Sequence, residues 1–169
     1  IRQPPPPSDT PDLESLLLHE LGRAMSGSME GVEETLNLIC EAVTTLLRVE
    51  KCLLLRNEPN LGRMGLRASR GMFDSAQVRS RDSPPGVGLF GACIEGRCAK
   101  VGERGGESDR ESLALYDQLD LHHFLVAPLQ AKDFTLGLLI ADSPTDGRSF
   151  DRRDIHLMEV LANLAAITE

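Results

Sequence analysis

Two apolar runs in the last third of the chain, Phe124 to Leu129 and Phe134 to Ala141, are separated by the polar step Gln130-Ala131-Lys132-Asp133. This spacing predicts an antiparallel hairpin with a short connection. Both runs are apolar at almost every position, whereas a half-buried strand alternates, so both faces of the hairpin need cover. Helices on one face and a loop-built layer on the other satisfy that need, and a sheet roofed by loops tends to hold a pocket there.

Upstream, Leu36, Ile39, Cys40, Val43, Leu46 and Leu47 recur at intervals of three and four. They predict a helix from Ser28 to about Arg48 with a single apolar face against the sheet. An earlier helix is predicted from Thr10, a capping residue, to about Ser26, with Pro11 at its first position. Its Leu13, Leu16, Leu17, Leu18, Leu21 and Met25 spread beyond one stripe, which leaves one face for the domain and another for a partner helix. The last helix, opening at Asp151, behaves alike: Ile155, Leu157, Met158, Val160, Leu161, Leu164, Ala165 and Ile167 exceed one stripe. Between these helices the pattern predicts a strand over Lys51 to Asn57, a turn at Pro59 to Gly62, and a second strand over Arg63 to Arg70. A short edge strand around Ala76 to Ser80 follows, then a glycine-rich loop, Gly86 to Gly91, leading into a short helix through Cys93 and Ile94. Cys98 to Gly102 reads as a strand, Glu103 to Ser108 as an acidic loop, and Asp109 to Gln118 as a short lid helix. Residues 1–8 form a proline-rich linker and residues 9–169 a single domain; the opening Ile1 and the run of prolines suggest a segment of a longer polypeptide.

Composition narrows the function. A net charge of −8 with no basic stripe argues against nucleic acid as a partner of this domain. The apolar runs are too short to cross a bilayer, and with no secretory signal the expectation is a cytoplasmic domain without a membrane partner. The four cysteines, Cys40, Cys52, Cys93 and Cys98, match no zinc spacing. Cys40 and Cys52 read as buried small hydrophobes, and only Cys93 and Cys98 lie close enough in sequence to form a thiol pair. His122 and His123 project to opposite faces of a strand, His19 and His156 sit exposed on helices, and no second ligand stands at a metal spacing. There is no Ser-His-acid set, carboxylate pair or P-loop, so no catalytic residue and no enzymatic activity are expected. Gly86-x-Gly88-x-x-Gly91 matches the dinucleotide fingerprint in letters, but Ser83-Pro84-Pro85 stands where that fold needs a strand. The glycines then serve a tight turn under the pocket.

The order of these elements, with Ser69-Arg70-Gly71, Gly86 to Gly91, Val126-Ala127-Pro128-Leu129, Gly137-Leu138-Leu139-Ile140, Phe150 and Leu161 to Ala165, resembles a GAF domain from Leu13 to Thr168. The resemblance implies an α+β fold with a six-stranded antiparallel sheet, terminal helices on one face and a loop-built ligand pocket on the other. It also implies a host such as a sensor kinase, a cyclic-nucleotide enzyme or a transcription activator. The chain departs from three ligand-specific branches of that family. Phe150 and Asp154 match the cyclic-nucleotide signature, but Ile155 replaces its Glu and Asp142-Ser143 its Asn-Lys. Phe90 stands where free methionine sulfoxide reductases carry a cysteine, and residues 103–118 lack both their catalytic cysteine and the pigment-attaching cysteine of bilin-binding members.

The resulting expectation is a regulatory domain that senses an unidentified small molecule and signals through dimerising terminal helices to an effector in the same polypeptide. Its pocket wall would comprise Arg70, Met72, Phe73, Val87, Phe90, Ile94, Val101, Leu113, Tyr116, Phe124 and Val126, with Arg70 offered to an anionic ligand. Its homodimer contacts would come from Leu13, Leu17, Leu21, Leu157, Leu161 and Leu164. The alternatives are a ligand-free dimerisation module, whose pocket its own side chains fill, and an enzyme like the free methionine sulfoxide reductases using Cys93 and Cys98. No cofactor is specified.

Overall fold

The computed structural model describes residues 29–71, Gly86 and residues 88–169, together with Ser15 and His19, both exposed and helical. Most of the expected first helix, including Leu13, Leu17 and Leu21, and the edge strand expected at Ala76 to Ser80 lie outside the described residues. Within residues 29–71 and 88–169, four α-helices, α1 (Met29–Leu46), α2 (Gly88–Gly96), α3 (Arg110–Leu119) and α4 (Arg152–Thr168), accompany five strands. The strands are β1 (Val49–Glu58), β2 (Arg63–Arg70), β3 (Lys100–Glu103), β4 (His123–Gln130) and β5 (Thr135–Pro144). They form one antiparallel sheet in the order β2-β1-β5-β4-β3, so the described residues hold five strands where six were expected. The fold is α+β, with β4 and β5 forming the expected hairpin beside β1 at the centre.

Strand alternation sorts the apolar residues onto two faces. Leu125, Ala127 and Leu129 of β4, Leu139 and Ala141 of β5, and Cys52 and Leu54 of β1 face α1 and α4. Phe124 and Val126, Leu138 and Ile140, and Leu53 and Leu55 face the opposite layer, which carries α2 and α3. The central strands are thus buried on both sides, as their unbroken apolar pattern requires.

On the first face, α1 packs on β1 and β2, α4 packs on β4 and β5, and the two helices touch each other. Leu36, Ile39, Cys40, Val43 and Leu47 of α1 and its end are fully buried, so the three-and-four spacing read in the sequence is the face that meets the sheet. The start of α4 is fixed by a reciprocal cap. The Asp151 side chain accepts from the Asp154 backbone N–H at 2.9 Å, and the Asp154 carboxylate accepts from the Asp151 N–H at 2.9 Å. Arg148 clamps this cap to the end of α1, donating to both Asp154 oxygens at 2.6 and 3.1 Å and to the Leu47 carbonyl at 2.6 Å. Burial pushes the Asp154 carboxyl up, but the Arg148 guanidinium and the cap N–H outweigh it and hold it below the usual carboxylate range.

Candidate functional site

The second face is built from short pieces. Helix α2 places Phe90 and Cys93 one turn apart, and both are fully buried against the sheet, with Cys93 Sγ 3.8 Å from the Val126 carbonyl. Helix α3 starts at Asp109, whose carboxylate accepts from the Ser112 N–H at 3.0 Å and from the Ser112 hydroxyl at 2.8 Å. It then lays Leu115, Tyr116 and Leu119 into the same layer. Three rings meet there: Tyr116 and Phe124 at 4.9 Å and 64°, Phe90 and Phe124 at 6.1 Å and 88°, and Phe90 and Tyr116 at 6.4 Å and 51°. Edge-to-face rings at such distances attract each other beyond their area burial.

Beside this cluster is a cavity of about 590 Å³ lined by Asn57 at the end of β1 and by Gly86, Gly88, Gly91, Ala92, Ile94 and Glu95. The glycines shape its edge. Gly88 has φ +54°, and a Cβ there would run into the Ser112 hydroxyl; at Gly91 a Cβ would come 2.6 Å from the Gly86 carbonyl oxygen. Only glycine lets the loop pass this close to α3 and to itself. The tight turn read in Gly86 to Gly91 is therefore present at Gly86, Gly88 and Gly91, while Val87 lies outside the described residues. The cavity edge offers backbone amides, the Asn57 amide and the Glu95 carboxylate. Among the described residues, no group of three or more His, Cys, Asp or Glu side chains is arranged to hold a metal.

The expected wall residues separate. Phe90, Tyr116, Phe124 and Val126 come together in the second layer, with Ile94 packed against it and lining the cavity. Leu113 is half-buried on α3, and Met72 and Phe73 lie outside the described residues. Arg70 and Val101 face the other way. A bulge in β2 opposite Leu54 and Leu55 pairs Leu66 with Leu55 but Ala68 with Leu54, which turns every later residue of the strand over. Arg70 consequently stands opposite Cys52 on the helix side, its guanidinium 3.8 Å from the Glu41 carboxylate of α1. Val101 pairs with Leu125, also on the helix side, and is 41% exposed on an edge strand. The expected dimer leucines of the last helix are placed differently as well. Leu157 and Leu161 are buried in the domain's own core, and Leu164 is half-buried against it. Among the described residues, the large hydrophobics that α1 and α4 leave exposed are Leu38 and Ile167.

All four cysteines are free thiols. Cys40, Cys52 and Cys93 are buried and Cys98 is partly exposed. Burial, with the neighbouring Cys98 adding to it, pushes the Cys93 thiol up to about 12, which keeps it protonated at neutral pH. His122 lies just before β4, exposed, with Nε2 3.2 Å from Asp120 Oδ1, and half-buried His123 stacks on Phe150 at 5.1 Å. The expectation that both sit on a strand therefore holds for His123 alone. Asn57 was not among the residues expected at the pocket. It was legible only as the polar end of a strand.

A family model described as GAF domain matches residues 31–168. The chain belongs to the GAF domain family. Comparison with curated proteins finds no match. Among solved structures, the GAF domain of a phosphoenolpyruvate-protein phosphotransferase from Coxiella burnetii is similar at 21% identity and a TM-score of 0.73, covering 92% of this chain and 91% of its own. A methyl-accepting chemotaxis protein segment aligns at 18% identity and a TM-score of 0.69, over 90% of this chain and 93% of its own. The phycoerythrobilin-bound GAF domain of a cyanobacterial phytochrome aligns at 13% identity and a TM-score of 0.70, over 94% and 95%. At these identities the likeness is one of fold. The GAF fold seen here is thus shared with domains of signalling proteins.

Proposed function

We propose that this GAF domain is a non-catalytic sensor that binds a small molecule in the cavity between Asn57 and α2, and regulates an effector in the same polypeptide. The cavity itself carries this reading. At about 590 Å³ it lies within the volume range of small-molecule sites, and Gly86, Gly88 and Gly91 form its edge. The protonated, buried Cys93 supports a binding role over thiol chemistry. In this reading the host is a cytoplasmic signalling protein such as a sensor kinase, a cyclic-nucleotide enzyme or a transcription activator. The ligand biases the packing of α1 and α4, and these helices join two copies through surfaces that include Leu38 and Ile167.

A second reading has its own observation. Phe90, Tyr116 and Phe124, each no more than 2% exposed, fill much of the second layer, which suits a ligand-free dimerisation module. Native mass spectrometry of protein purified from cells separates the two. A dimer carrying extra mass that is lost on replacing Ile94 by Trp supports sensing at the cavity. A dimer at the bare polypeptide mass supports the structural module. Turnover of free methionine sulfoxide by the purified protein would overturn both.

A further inference from the structure

Lys51 and Asp142 are charged and buried, with side chains 6% and 1% exposed, and they face each other across β1 and β5 on the side away from the long helices. Their Nζ to Oδ2 distance is 3.0 Å. A buried ion pair is retained only where its remaining valences are satisfied, and here the α3–β4 corner satisfies them. Lys51 Nζ donates to the Asp120 carbonyl and lies 3.2 Å from Asp120 Oδ2. Asp142 Oδ1 accepts the His122 backbone N–H at 2.9 Å, and Oδ2 accepts the Ser143 hydroxyl at 3.1 Å. Asp120 caps α3 in the left-handed region, with φ 51°, and its N–H closes back on Tyr116 and Asp117. The corner is therefore tied to the sheet by charge-assisted bonds to a single ion pair.

The other end of α3 meets the cavity. Ser112, in the first turn of α3 and fully buried, sits against Gly88, and Gly88 lines the cavity. Ten helical residues span about 15 Å, so α3 is a rod with one end at the cavity edge and the other latched to Lys51 and Asp142. The next residues along the same strands, Cys52 and Ala141, pack under the helix layer that holds α1 and α4.

We propose that α3 is a lever: occupancy of the cavity displaces its Ser112 end, and the Lys51–Asp142 latch passes that displacement through β1 and β5 to α1. The proposal rests on the cavity being the ligand site. It supplies a route from that site to the helices through one rigid element and one ion pair.

Hydrogen exchange read by mass spectrometry on the whole chain tests it, with Ala92→Trp placing an indole in the cavity instead of the unidentified ligand. Asp120 is more than half exposed, so Asp120→Asn weakens the latch by one carboxylate charge while leaving the Asp120 carbonyl bond and the Lys51–Asp142 pair in place. Loss of that partly exposed charge should speed exchange over residues 112–124 by up to about five-fold, with β2 and the C-terminal half of α4 unchanged. Ala92→Trp should shift exchange in residues 119–124 and in the second half of α1, and Asp120→Asn should reduce the α1 response. An even rise across the domain in Asp120→Asn, or an α1 response to Ala92→Trp that it leaves undiminished, would overturn the lever. A ligand retained in native mass spectrometry alongside such a result keeps the cavity as the site and removes the lever. Intact coupling in a protein that never carries extra mass keeps the lever and removes the sensing reading.

Discussion

The two faces of one sheet are finished by different means. On the helix side, two long helices lay aliphatic rows onto the strands, and that core is closed by Leu36, Ile39, Val43, Met158 and Leu161, all fully buried. On the other side, short helices, glycine turns and three aromatic rings do the covering, and a cavity and a buried ion pair lie among them. A long helix presents a continuous stripe and leaves little room. Short pieces meet at angles, so their joints leave space and need polar ties where backbone groups would otherwise go unpaired. The difference puts the cavity on the side where regular packing stops.

The comparison is tested most strongly by truncating one large side chain on each face. Phe90→Ala should cost about 3–5 kcal/mol and Leu161→Ala about 2–5 kcal/mol if both layers are packed to the same density. Urea unfolding measures both. A Phe90→Ala loss below half that of Leu161→Ala would show that the second layer is slack, favouring a ligand site over a self-filled core.

Next in size is the clamp that closes the helix side. Asp154→Asn removes the charge held by Arg148 and should cost about 1.5–3 kcal/mol. Because the folded-state pKa of Asp154 is lowered, its stabilisation is present above the ordinary carboxylate pKa of about 3.9 and is lost as pH falls through the depressed folded value. The urea midpoint of the wild type should therefore drop below about pH 4, and the drop should be shallower in Asp154→Asn. Equal slopes would show that Arg148 and the cap contribute nothing electrostatic.

Smaller effects test surfaces. Ile167 is 75% exposed, so Ile167→Asp should change stability by no more than about 0.5 kcal/mol and yet halve the mass seen by light scattering if α4 joins two copies. Leu161→Asp gives no such reading, because it would unfold the core before it could report on a dimer. Smallest of all, Glu95→Gln at the cavity should leave the unfolding midpoint unmoved, and any change in retained mass would then report on the ligand alone.

Much of this was legible from periodicity. The hairpin of β4 and β5, buried on both sides, follows from two unbroken apolar runs, and α1 follows from a clean three-and-four repeat. The site was less legible. Arg70 was expected in the pocket wall, and simple alternation from Leu66 would put it on that face. One bulge between Leu66 and Ala68 reversed it, and a bulge depends on how two strands fit, which neither strand's pattern states. Leu157 and Leu161 were expected at a dimer surface because the last helix is apolar beyond one stripe. Packing against both the sheet and α1 buries more of that helix than contact with the sheet alone would.

By itself the sequence determined which segments are helices and strands, that the central strands need cover on both faces, and that glycines turn the chain near a pocket, because side-chain periodicity and backbone freedom are local properties. Only the tertiary structure decided which face each strand residue joins, that Asn57 meets α2 across a cavity, and that the buried Lys51 and Asp142 share one charge network with the exposed Asp120, far apart in the chain. Those outcomes depend on register and on the meeting of distant segments, and a partner 69 residues away leaves no periodic trace in the sequence.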